Sequence, residues 1–458
     1  MTKMKFEIKD KTFNEIEYRI SLRKRIAVPY LDYVIMKRGP KEIEGMSRLP
    51  IESVIDDHSC FIFGDDGEVL LQQIGGATVE QLEITDHSIR AVTSVYPEYI
   101  NLKKHIRVSE KQKPVLLKDN ILTPSLLAEI YREKFIHLLT LEQIEQNLKY
   151  QKLKLSADVM AFWLSQVFID YFTSFVDRLI QEIKKEKIFY AENLYIQNAD
   201  NQMWSYDRVF RYSTLSRKSQ KKLVIYDDTR RKGFAHVDKL FEEYNGIIFS
   251  EKTEKHHLKD SRLAACWAAI RVRFEYPSDS GKEESPGKTA KKGLRLLRQI
   301  YHEEEKLYML PPNRKVQERR KYVKPIVDEF FAYVDKNLKY VPEGVQPYEG
   351  LKHAKERETE LRAFLEDGII PLDFDGFIGS PCNIYEIEYI PGTHFTAAAF
   401  YNTFTETAFC NGLLPACYME YLLERLIQLH VRGIKEIPDD LMPWSKTLPQ
   451  HLRIPKQQ

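Results

Sequence analysis

The chain is 458 residues long, about three times the usual domain size, which excludes a small stapled scaffold and predicts roughly two to four domains. Hydrophobic residues at 43%, aromatic residues at 12% and charged residues at 30% exclude a largely disordered chain. The net charge of +2, from 69 basic and 67 acidic residues, excludes a global attraction to polyanions, so any contact with nucleic acid depends on local patches.

Cysteine usage and the N-terminal sequence indicate the compartment. The chain has 5 cysteines, an odd and widely spaced set that suits free thiols in a reducing cytoplasm better than disulfides. They are Cys60, Cys266, Cys382, Cys410 and Cys417, and because no two form a C-x-x-C pair, zinc is not expected. No apolar signal-peptide core follows the N-terminus, and no apolar run approaches about 18 residues. We expect a cytoplasmic protein without membrane contact.

The first part of the chain predicts two small segments. Residues 1–50 have no steady hydrophobic period and end in the breaker-rich run Arg48-Leu49-Pro50, so they are predicted to form an N-terminal appendage. In residues 51–118, β-rich runs at 59–63 and 68–73 are separated by turns, which predicts the hairpins of a small β module.

Residues 119–186 predict three helices. Thr123 has the position of an N-cap, a second helix is predicted around 141–148, and Ser156 opens a third. The short turn between the second and third helices is typical of a helix-turn-helix DNA-binding segment, in which Lys154 and Ser156 are candidate DNA contacts. Three helices packed together without a DNA role are the alternative interpretation.

Residues 187–276 change to a strand pattern. Three aromatic and β-branched runs are followed by a helix, a short buried strand and a second helix. The predicted elements are strands 188–196, 203–212 and 222–226, helix 232–244, strand 247–249 and helix 263–274. This β-β-β-α-β-α order predicts an α/β fold with a mixed, ribonuclease-H-like sheet.

A polar linker and an α-helical insertion interrupt this core over residues 277–365. Residues 277–289 are rich in Gly, Pro and Ser, and Gly281 and Gly287 are spaced wrongly for a phosphate-binding loop, so a linker is predicted. The insertion is strongly helical and charged. Residues 366–445 are predicted to complete the core and add two helices, at 395–409 and 415–433, before a tail at 446–458.

Local basic clusters are the candidate sites for phosphate contact, although such runs are more often solvated surface. Two of them lie close together at strand ends of the predicted sheet, and two further arginines lie in the predicted helix 263–274. These candidate DNA contacts are Lys221, Lys222, Arg230, Arg231, Lys232, Arg271 and Arg273. A third cluster, at 314–321, is predicted to be solvated surface.

Ordered motifs between about residues 50 and 445 carry a family resemblance. The motifs are Thr123-Pro124-Ser125-Leu126-Leu127-Ala128, Asp228-Thr229-Arg230-Arg231-Lys232-Gly233, Ala265-Cys266-Trp267-Ala268, Glu406-Thr407-Ala408 with Asn411-Gly412-Leu413, and Leu441-Met442-Pro443-Trp444. In that order and spacing, the chain resembles transposases of the insertion sequence 66 family nearly end to end.

The resemblance implies DNA strand cleavage and transfer by a bacterial, cytoplasmic protein that joins the nucleoid when bound to DNA. Three carboxylates would hold two Mg²⁺ or Mn²⁺ ions about 4 Å apart, one activating the nucleophile and one stabilising the leaving oxygen. The implied partners are double-stranded DNA at transposon ends, a second copy of the chain and accessory proteins of the element.

The acids that the resemblance requires are altered in this chain. The first two family aspartates fall on Glu192 and Glu251, and the third acid falls on Ile378. The family's four zinc cysteines are reduced to Cys60. We therefore expect a catalytically silent relative that keeps DNA binding or an assembly or regulatory role, with no cofactor.

Two alternatives stay open. Asp373 or Asp375 could replace the third acid, which would give an active enzyme with a rearranged set of Glu192, Glu251 and one of these aspartates. The chain could also be a protein-interaction scaffold that no longer binds DNA.

Overall fold

The computed structural model describes the chain in segments. The described residues are 6–8, 11–12, 23–31, 49–56, 61–63, 69–85, 88–110, 114–117, 121–150, 153–197, 206–214, 221–228, 241, 243–250, 262–275, 285–373, 395–434 and 436–455. The chain divides into two compact units, the first made of residues 1–175, 388–401 and 412–458, the second of residues 176–387 and 402–411.

The described strands form two sheets. Those of the first unit are β1 Phe6–Ile8, β2 Lys11–Thr12, β3 Arg23–Leu31, β4 Leu49–Asp56, β5 Phe61–Phe63, β6 Val69–Thr85, β7 Ser88–Asn101 and β8 Ile106–Glu110. Those of the second unit are β9 Ile188–Gln197, β10 Tyr206–Thr214, β11 Val224–Asp228, β12 Ile247–Ser250 and β13 Arg262–Ala265.

The described helices follow the same chain order. They are α1 Pro124–Tyr131, α2 Leu141–Tyr150, α3 Ala157–Ile183, α4 Ala268–Phe274, α5 Pro286–Lys306, α6 Pro312–Glu318, α7 Lys324–Asn337, α8 Gln346–Glu356, α9 Glu358–Arg362, α10 Phe395–Cys410 and α11 Pro415–Val431. Short π-helical stretches extend α1, interrupt α3 and join α6 to α7.

The eight-stranded sheet of the first unit is built around the long antiparallel hairpin β6–β7. β7 also pairs with β4 in parallel and with β8 in antiparallel orientation. Strands β1 to β3 come from the predicted appendage: β1 pairs with β2 and β8, and β3 pairs with β4. The described strands of the appendage and of the predicted β module therefore belong to one sheet.

The helices of the first unit begin where the sequence places their caps. The Thr123 hydroxyl accepts a hydrogen bond from the Leu126 N–H at 3.2 Å and donates to the Leu82 carbonyl at 2.6 Å. The Ser156 hydroxyl accepts from the Val159 N–H at 3.4 Å. Both predicted caps are confirmed, and the cap at Thr123 also attaches α1 to strand β6.

One described helix, α3, is long and apolar enough to cross a membrane by length and composition. Its most apolar window is 61% buried inside the protein. Burial of this kind is what the core helix of a water-soluble protein shows, so the helix is weak evidence for a membrane span.

The five-stranded sheet of the second unit has the order β11-β10-β9-β12-β13. β9, β10 and β11 form an antiparallel meander, and β12 and β13 add in parallel to β9. The three meander strands and β12 were predicted. The prediction of one helix over 263–274 was wrong in its first part, because 262–265 form β13 and the helix begins at Ala268. The predicted helix 232–244 lies largely outside the described residues.

The edge strand β11 is covered by α10. The Thr407 hydroxyl accepts from the Val224 N–H at 3.1 Å and donates to its carbonyl at 2.9 Å, while the Tyr226 N–H donates to the Thr403 hydroxyl at 2.9 Å. Glu406 forms a buried ion pair with Arg211 at 3.2 Å. Side chains thus satisfy backbone groups that an open sheet edge would leave exposed, which gives the Glu-Thr-Ala motif a structural reason.

The insertion packs on the parallel end of this sheet through an aromatic core. Trp267, Phe274, Phe330, Phe331 and Phe364 are buried and in contact with one another in edge-to-face or tilted pairs. Helix α5 starts earlier than predicted, at Pro286, with the Ser285 hydroxyl accepting from the Lys288 N–H at 3.4 Å. The predicted linker was therefore too long at its C-terminal end.

Candidate functional site

Asp373 ends the described segment 285–373 and lies against Cys266, the residue that directly follows β13. Its Oδ1 accepts a hydrogen bond from the Tyr301 hydroxyl at 2.7 Å and a weaker one from the Cys266 thiol at 3.7 Å. The Trp267 N–H donates to the Leu372 carbonyl at 3.1 Å and holds the segment against the start of α4. Strand β13, helix α4 and insertion helix α5 together surround this carboxyl group.

Burial and hydrogen bonding act in opposite directions on the pKa of Asp373. Burial raises the pKa of Asp373, and the hydrogen bonds from Tyr301, Cys266 and the Ala268 N–H, with the charge of Arg271, counteract only part of that rise. The pKa of the Tyr301 phenol is also raised, first by burial and then by Asp373. The phenol therefore stays a hydrogen-bond donor, and Asp373 is held as an acceptor inside the protein.

Arg271 completes the surroundings of the carboxyl group. Its guanidinium carbon lies 4.9 Å from the centre of the Tyr301 ring, in a cation–π arrangement. On its other side, Arg271 Nε lies 3.9 Å from Glu275 Oε1. Arg271 is thus a half-buried cation whose charge lowers the pKa of Asp373, against the effect of burial.

The two glutamates at the other predicted acid positions are Glu192, in β9, and Glu251, which follows the last residue of β12 in the sequence. The Cα partner of Glu192 in β10 is Arg211. The parallel pairing of β12 with β9 ends at Ser250 and Ala191. Glu251, Asp375 and Ile378 lie outside the described residues, as does the side chain of Glu192.

Of the predicted acids, Asp373 is the one whose side chain lies within the described residues. Its Oδ1 accepts a hydrogen bond from Tyr301, and burial raises its pKa. β12 lies between β9 and β13, so the ends of those two strands are about 10 Å apart by normal strand spacing. Within the described chain, no group of three or more His, Cys, Asp or Glu side chains could hold a metal ion.

Three of the predicted DNA contacts in the second unit are bonded to other groups of the protein. Lys221 Nζ is paired with the buried carboxylate of Glu182, and the Lys222 carbonyl accepts from the Asn411 amide at 2.7 Å. Arg273 donates to the Ala269 carbonyl one turn earlier in its own helix. Arg230, Arg231 and Lys232 lie outside the described residues.

In the first unit, the candidate contact Lys154 is exposed in the turn before α3, and Ser156 caps that helix. The cap uses the Ser156 hydroxyl as an acceptor for the Val159 N–H. Lys154 is the exposed residue of the two, and its charge contributes to lowering the pKa of Glu145.

Comparison with known proteins decides the family. The family model described as "Transposase IS66 family" matches residues 119–374, which is more than half of the chain. The chain belongs to the IS66 transposase family. The matched part of this IS66-family chain contains the five-stranded sheet, the helical insertion and Asp373.

A curated relative extends the similarity over most of the chain. The "Uncharacterized protein y4qI" of Sinorhizobium fredii (strain NBRC 101917 / NGR234) is 22% identical over 444 residues, covering 89% of this IS66-family chain and 78% of the relative. Its printed name assigns no activity, so this similarity extends the matched length of the chain but indicates no function.

Sequence reasoning missed two residues that shape the site. Tyr301 was not among the predicted site residues, although the hydroxyl group of a buried tyrosine usually has a hydrogen-bond partner. Arg319 was placed in a solvated basic cluster, which was wrong, because it is 0% exposed. Its guanidinium donates to the carbonyls of Phe364 at 2.7 Å and Ile370 at 3.0 Å, in the segment that leads to Asp373.

Proposed function

We propose that this IS66-family protein binds DNA but does not cut it. The five-stranded sheet would be a ribonuclease-H-like core, an interpretation supported by its order of three antiparallel and two parallel strands. The helices α1 to α3 would form a helix-turn-helix-like segment with Lys154 facing the DNA. In a bacterial cytoplasm, such a protein would act as a regulator of transposition or as a subunit of a larger assembly.

The state of Asp373 is the observation that carries the catalytic part of the proposal. The third family acid falls on Ile378 in the sequence, so a working site needs Asp373 or Asp375 as a substitute. Asp373 is engaged by Tyr301 at 2.7 Å, and burial raises its pKa, which disfavours the ionised ligand. Burial of this carboxyl group and its hydrogen bond from Tyr301 would both weaken metal binding, because a metal would have to compete with that bond at Oδ1.

The glutamates add a second difficulty for catalysis. Glu192 and Glu251 each carry one methylene more than the family's aspartates, and catalytic groups have to be held within about 0.5 Å of their working positions. We therefore propose no resident metal cofactor. Zinc binding is not proposed either, since four cysteine ligands would be needed and the first module has only Cys60.

DNA as the partner is proposed from the family. Transposases act on double-stranded DNA, and a second copy of the chain or accessory proteins of the element would join it there. Because the net charge is only +2, the contacts would have to come from clustered cations rather than from the charge of the whole protein.

The first experiment asks whether any cleavage survives. Purified full-length protein is incubated with supercoiled plasmid and with duplexes carrying candidate transposon ends, in Mg²⁺ or Mn²⁺. We expect no nicked or joined product above a no-protein control. Reproducible nicking that Glu192→Ala or Glu251→Ala abolishes would instead establish the rearranged active site.

The same protein and DNA samples distinguish DNA binding from the alternative of a protein-interaction scaffold. A DNA-binding protein with several phosphate contacts loses affinity steeply as salt rises, because each contact releases condensed counterions. We expect a steep dependence of the binding constant on KCl concentration. A slope near zero would favour a protein-interaction scaffold and remove DNA from the proposal.

A further inference from the structure

Helix α5 has a solvent-facing side that carries only cations over its first thirteen residues. Gly287, Thr289, Ala290, Gly293, Leu296 and Leu297 face the core. The exposed cations between them, here called the basic face, are Lys288, Lys291, Lys292, Arg295 and Arg298. At about 100° and 1.5 Å per residue, they occupy an arc of about 120° and a length of about 15 Å.

The charges of the basic face are not neutralised by neighbours in the described structure. Lys292 Nζ lies over the Tyr333 ring, 5.4 Å from its centre. Within the described ranges, Lys288, Lys291, Arg295 and Arg298 make no ion pair with any carboxylate. The nearest acids along the helix, Glu303 to Glu305, come after the basic face has ended.

The order of charges along α5 opposes the helix dipole. Cations are stabilising near a helix C-terminus and acids near an N-terminus, each by about 0.3–1 kcal/mol. Helix α5 has Lys288 and no acid in its first turn, and Glu303–Glu305 come near its end, before Lys306. By contrast, α2 has Glu142 in the first turn and Lys149 in the last. The position of Lys288 at the start of α5 is therefore not explained by the helix dipole, and the basic face is open to an external anion.

A membrane surface is a poor match for that anion. Helices that bind anionic membranes place large apolar side chains next to their basic side, so that the apolar side enters the lipid. The apolar side of α5 is already buried, with Leu296, Leu297 and Ile300 at 0–1% exposure in the insertion core. Only the charged side chains are available to a partner.

We propose that the basic face binds the sugar–phosphate backbone of duplex DNA without reading its sequence. This inference rests on the proposed DNA-binding function and gives that function a surface in the insertion. Along a duplex, the phosphates of one strand are spaced about 3.4 Å apart, so about 15 Å of helix faces roughly four of them. Flexible lysine and arginine side chains at this spacing can each reach a phosphate, which positions the protein but carries no base information.

The decisive experiment compares two full-length variants with the same loss of charge. The first is Lys288→Gln/Lys291→Gln/Arg295→Gln/Arg298→Gln. The control is Arg314→Gln/Lys321→Gln/Arg432→Gln/Lys446→Gln, which also removes two lysines and two arginines from exposed positions, but scattered ones. Binding to a fluorescent duplex of about 30 base pairs is measured by anisotropy between about 50 and 200 mM KCl, the range over which phosphate contacts change affinity most clearly.

We expect the basic-face variant to lose about 3 to 4 units of the log–log salt slope and at least about tenfold in affinity near 100 mM KCl. The control variant keeps most of its slope. Circular dichroism and the thermal midpoint report folding, and the basic-face variant should melt at the same or a higher temperature because cations leave the start of α5.

Other results would contradict either this surface or the proposed DNA binding. If wild type binds with a steep slope and both variants retain it, DNA binds elsewhere, so this surface is wrong while the proposed function stands. If wild type itself shows a slope near zero, the proposed DNA binding fails and this inference with it. If wild type binds poly-glutamate more tightly than DNA at equal charge concentration, and the basic-face variant alone loses that binding, the basic face serves an acidic protein partner, which overturns the DNA assignment.

Discussion

The carboxylate of Glu182 forms ion pairs with three cationic side chains although its own side chain is only 1% exposed. Arg178 lies at 3.2 Å and Lys185 at 2.6 Å from its Oε1, and Lys221 is bonded to Oε2. Burial by itself would raise the pKa of Glu182, but the hydrogen bonds from Lys185 and Lys221 outweigh it and lower the pKa to about 2. Lys221, predicted from the sequence as a DNA contact, thus has a structural partner.

Replacing this carboxylate should make stability depend on pH in a defined direction. The folded pKa of about 2 lies below the ordinary value of 4.5, so the stabilisation is present above about pH 4.5 and is lost as pH falls towards 2. We expect Glu182→Gln to cost about 3 kcal/mol of unfolding free energy at neutral pH, from about 1.4 kcal/mol per pKa unit.

Urea denaturation at a series of pH values checks this expectation. The difference between wild type and Glu182→Gln should shrink steadily below about pH 4.5. The control is Gln181→Ala, an exposed neighbour outside the cluster, which should change stability by less than about 0.5 kcal/mol. A difference that does not vary with pH would show that the ionised carboxylate is not what stabilises the fold.

At the scale of elements, Arg319 holds the segment that leads to Asp373 against the helices of the insertion. It is 0% exposed, paired with Glu304, and donates to three backbone carbonyls, those of Phe364, Asp367 and Ile370. These carbonyls belong to the turn that carries the chain from α9 towards Asp373. The guanidinium is suited to this task because it offers five donors in a rigid planar arrangement.

We expect Arg319→Met to destabilise the protein by about 3–5 kcal/mol, since it leaves Glu304 and several carbonyls without their partner. Arg320→Met is the matched control, because Arg320 is exposed and its ion pair with Glu366 is on the surface, where a pair is worth at most about 1 kcal/mol. Hydrogen exchange should also speed up across residues 364–373 in the first variant only. A loss under about 1 kcal/mol with unchanged exchange would mean that Arg319 does not anchor this turn.

Local signals predicted the helix starts well. Thr123 and Ser156 have the oxygen acceptors and positions that N-caps need, and both caps are present. The elements that were missed depend on tertiary context. The short buried strand β13 has an apolar run that is indistinguishable in sequence from the start of a helix, and only its pairing with β12 selects the strand. The start of α5 was missed because Gly287 and Pro286 suggest a linker, whereas Pro suits the first turn of a helix.

Candidate site residues were harder to predict than elements. The acid positions come from the family resemblance, but a sequence does not show that Asp373 is enclosed by Tyr301 and Cys266, which lie 72 and 107 residues away. Basic clusters led to a wrong prediction because the sequence does not show which of their side chains are buried. Neighbouring residues such as Arg319 and Arg320 look alike in sequence, yet one is buried and the other exposed.

At the scale of the whole molecule, the motifs of this IS66-family chain occupy structural positions. The family match covers residues 119–374 and the motifs at Thr123, Trp267 and Glu406 serve helix capping, core packing and the covering of a sheet edge. These roles are structural, so they are independent of the chemistry at Asp373. A protein can therefore keep this fold and a DNA-binding surface while catalysis is lost.

A titration of the full-length protein with Mn²⁺, followed by the electron paramagnetic resonance of the free ion, tests this account most directly. It needs no knowledge of the DNA sequence, and Glu192→Ala/Glu251→Ala supplies the matched blank. Because Asp373 is engaged by Tyr301 and disfavoured as an ion, we predict that wild type and the double variant take up the same amount of Mn²⁺. Additional binding of one or two ions by wild type, lost in the double variant, would contradict the account and restore a metal-dependent active site.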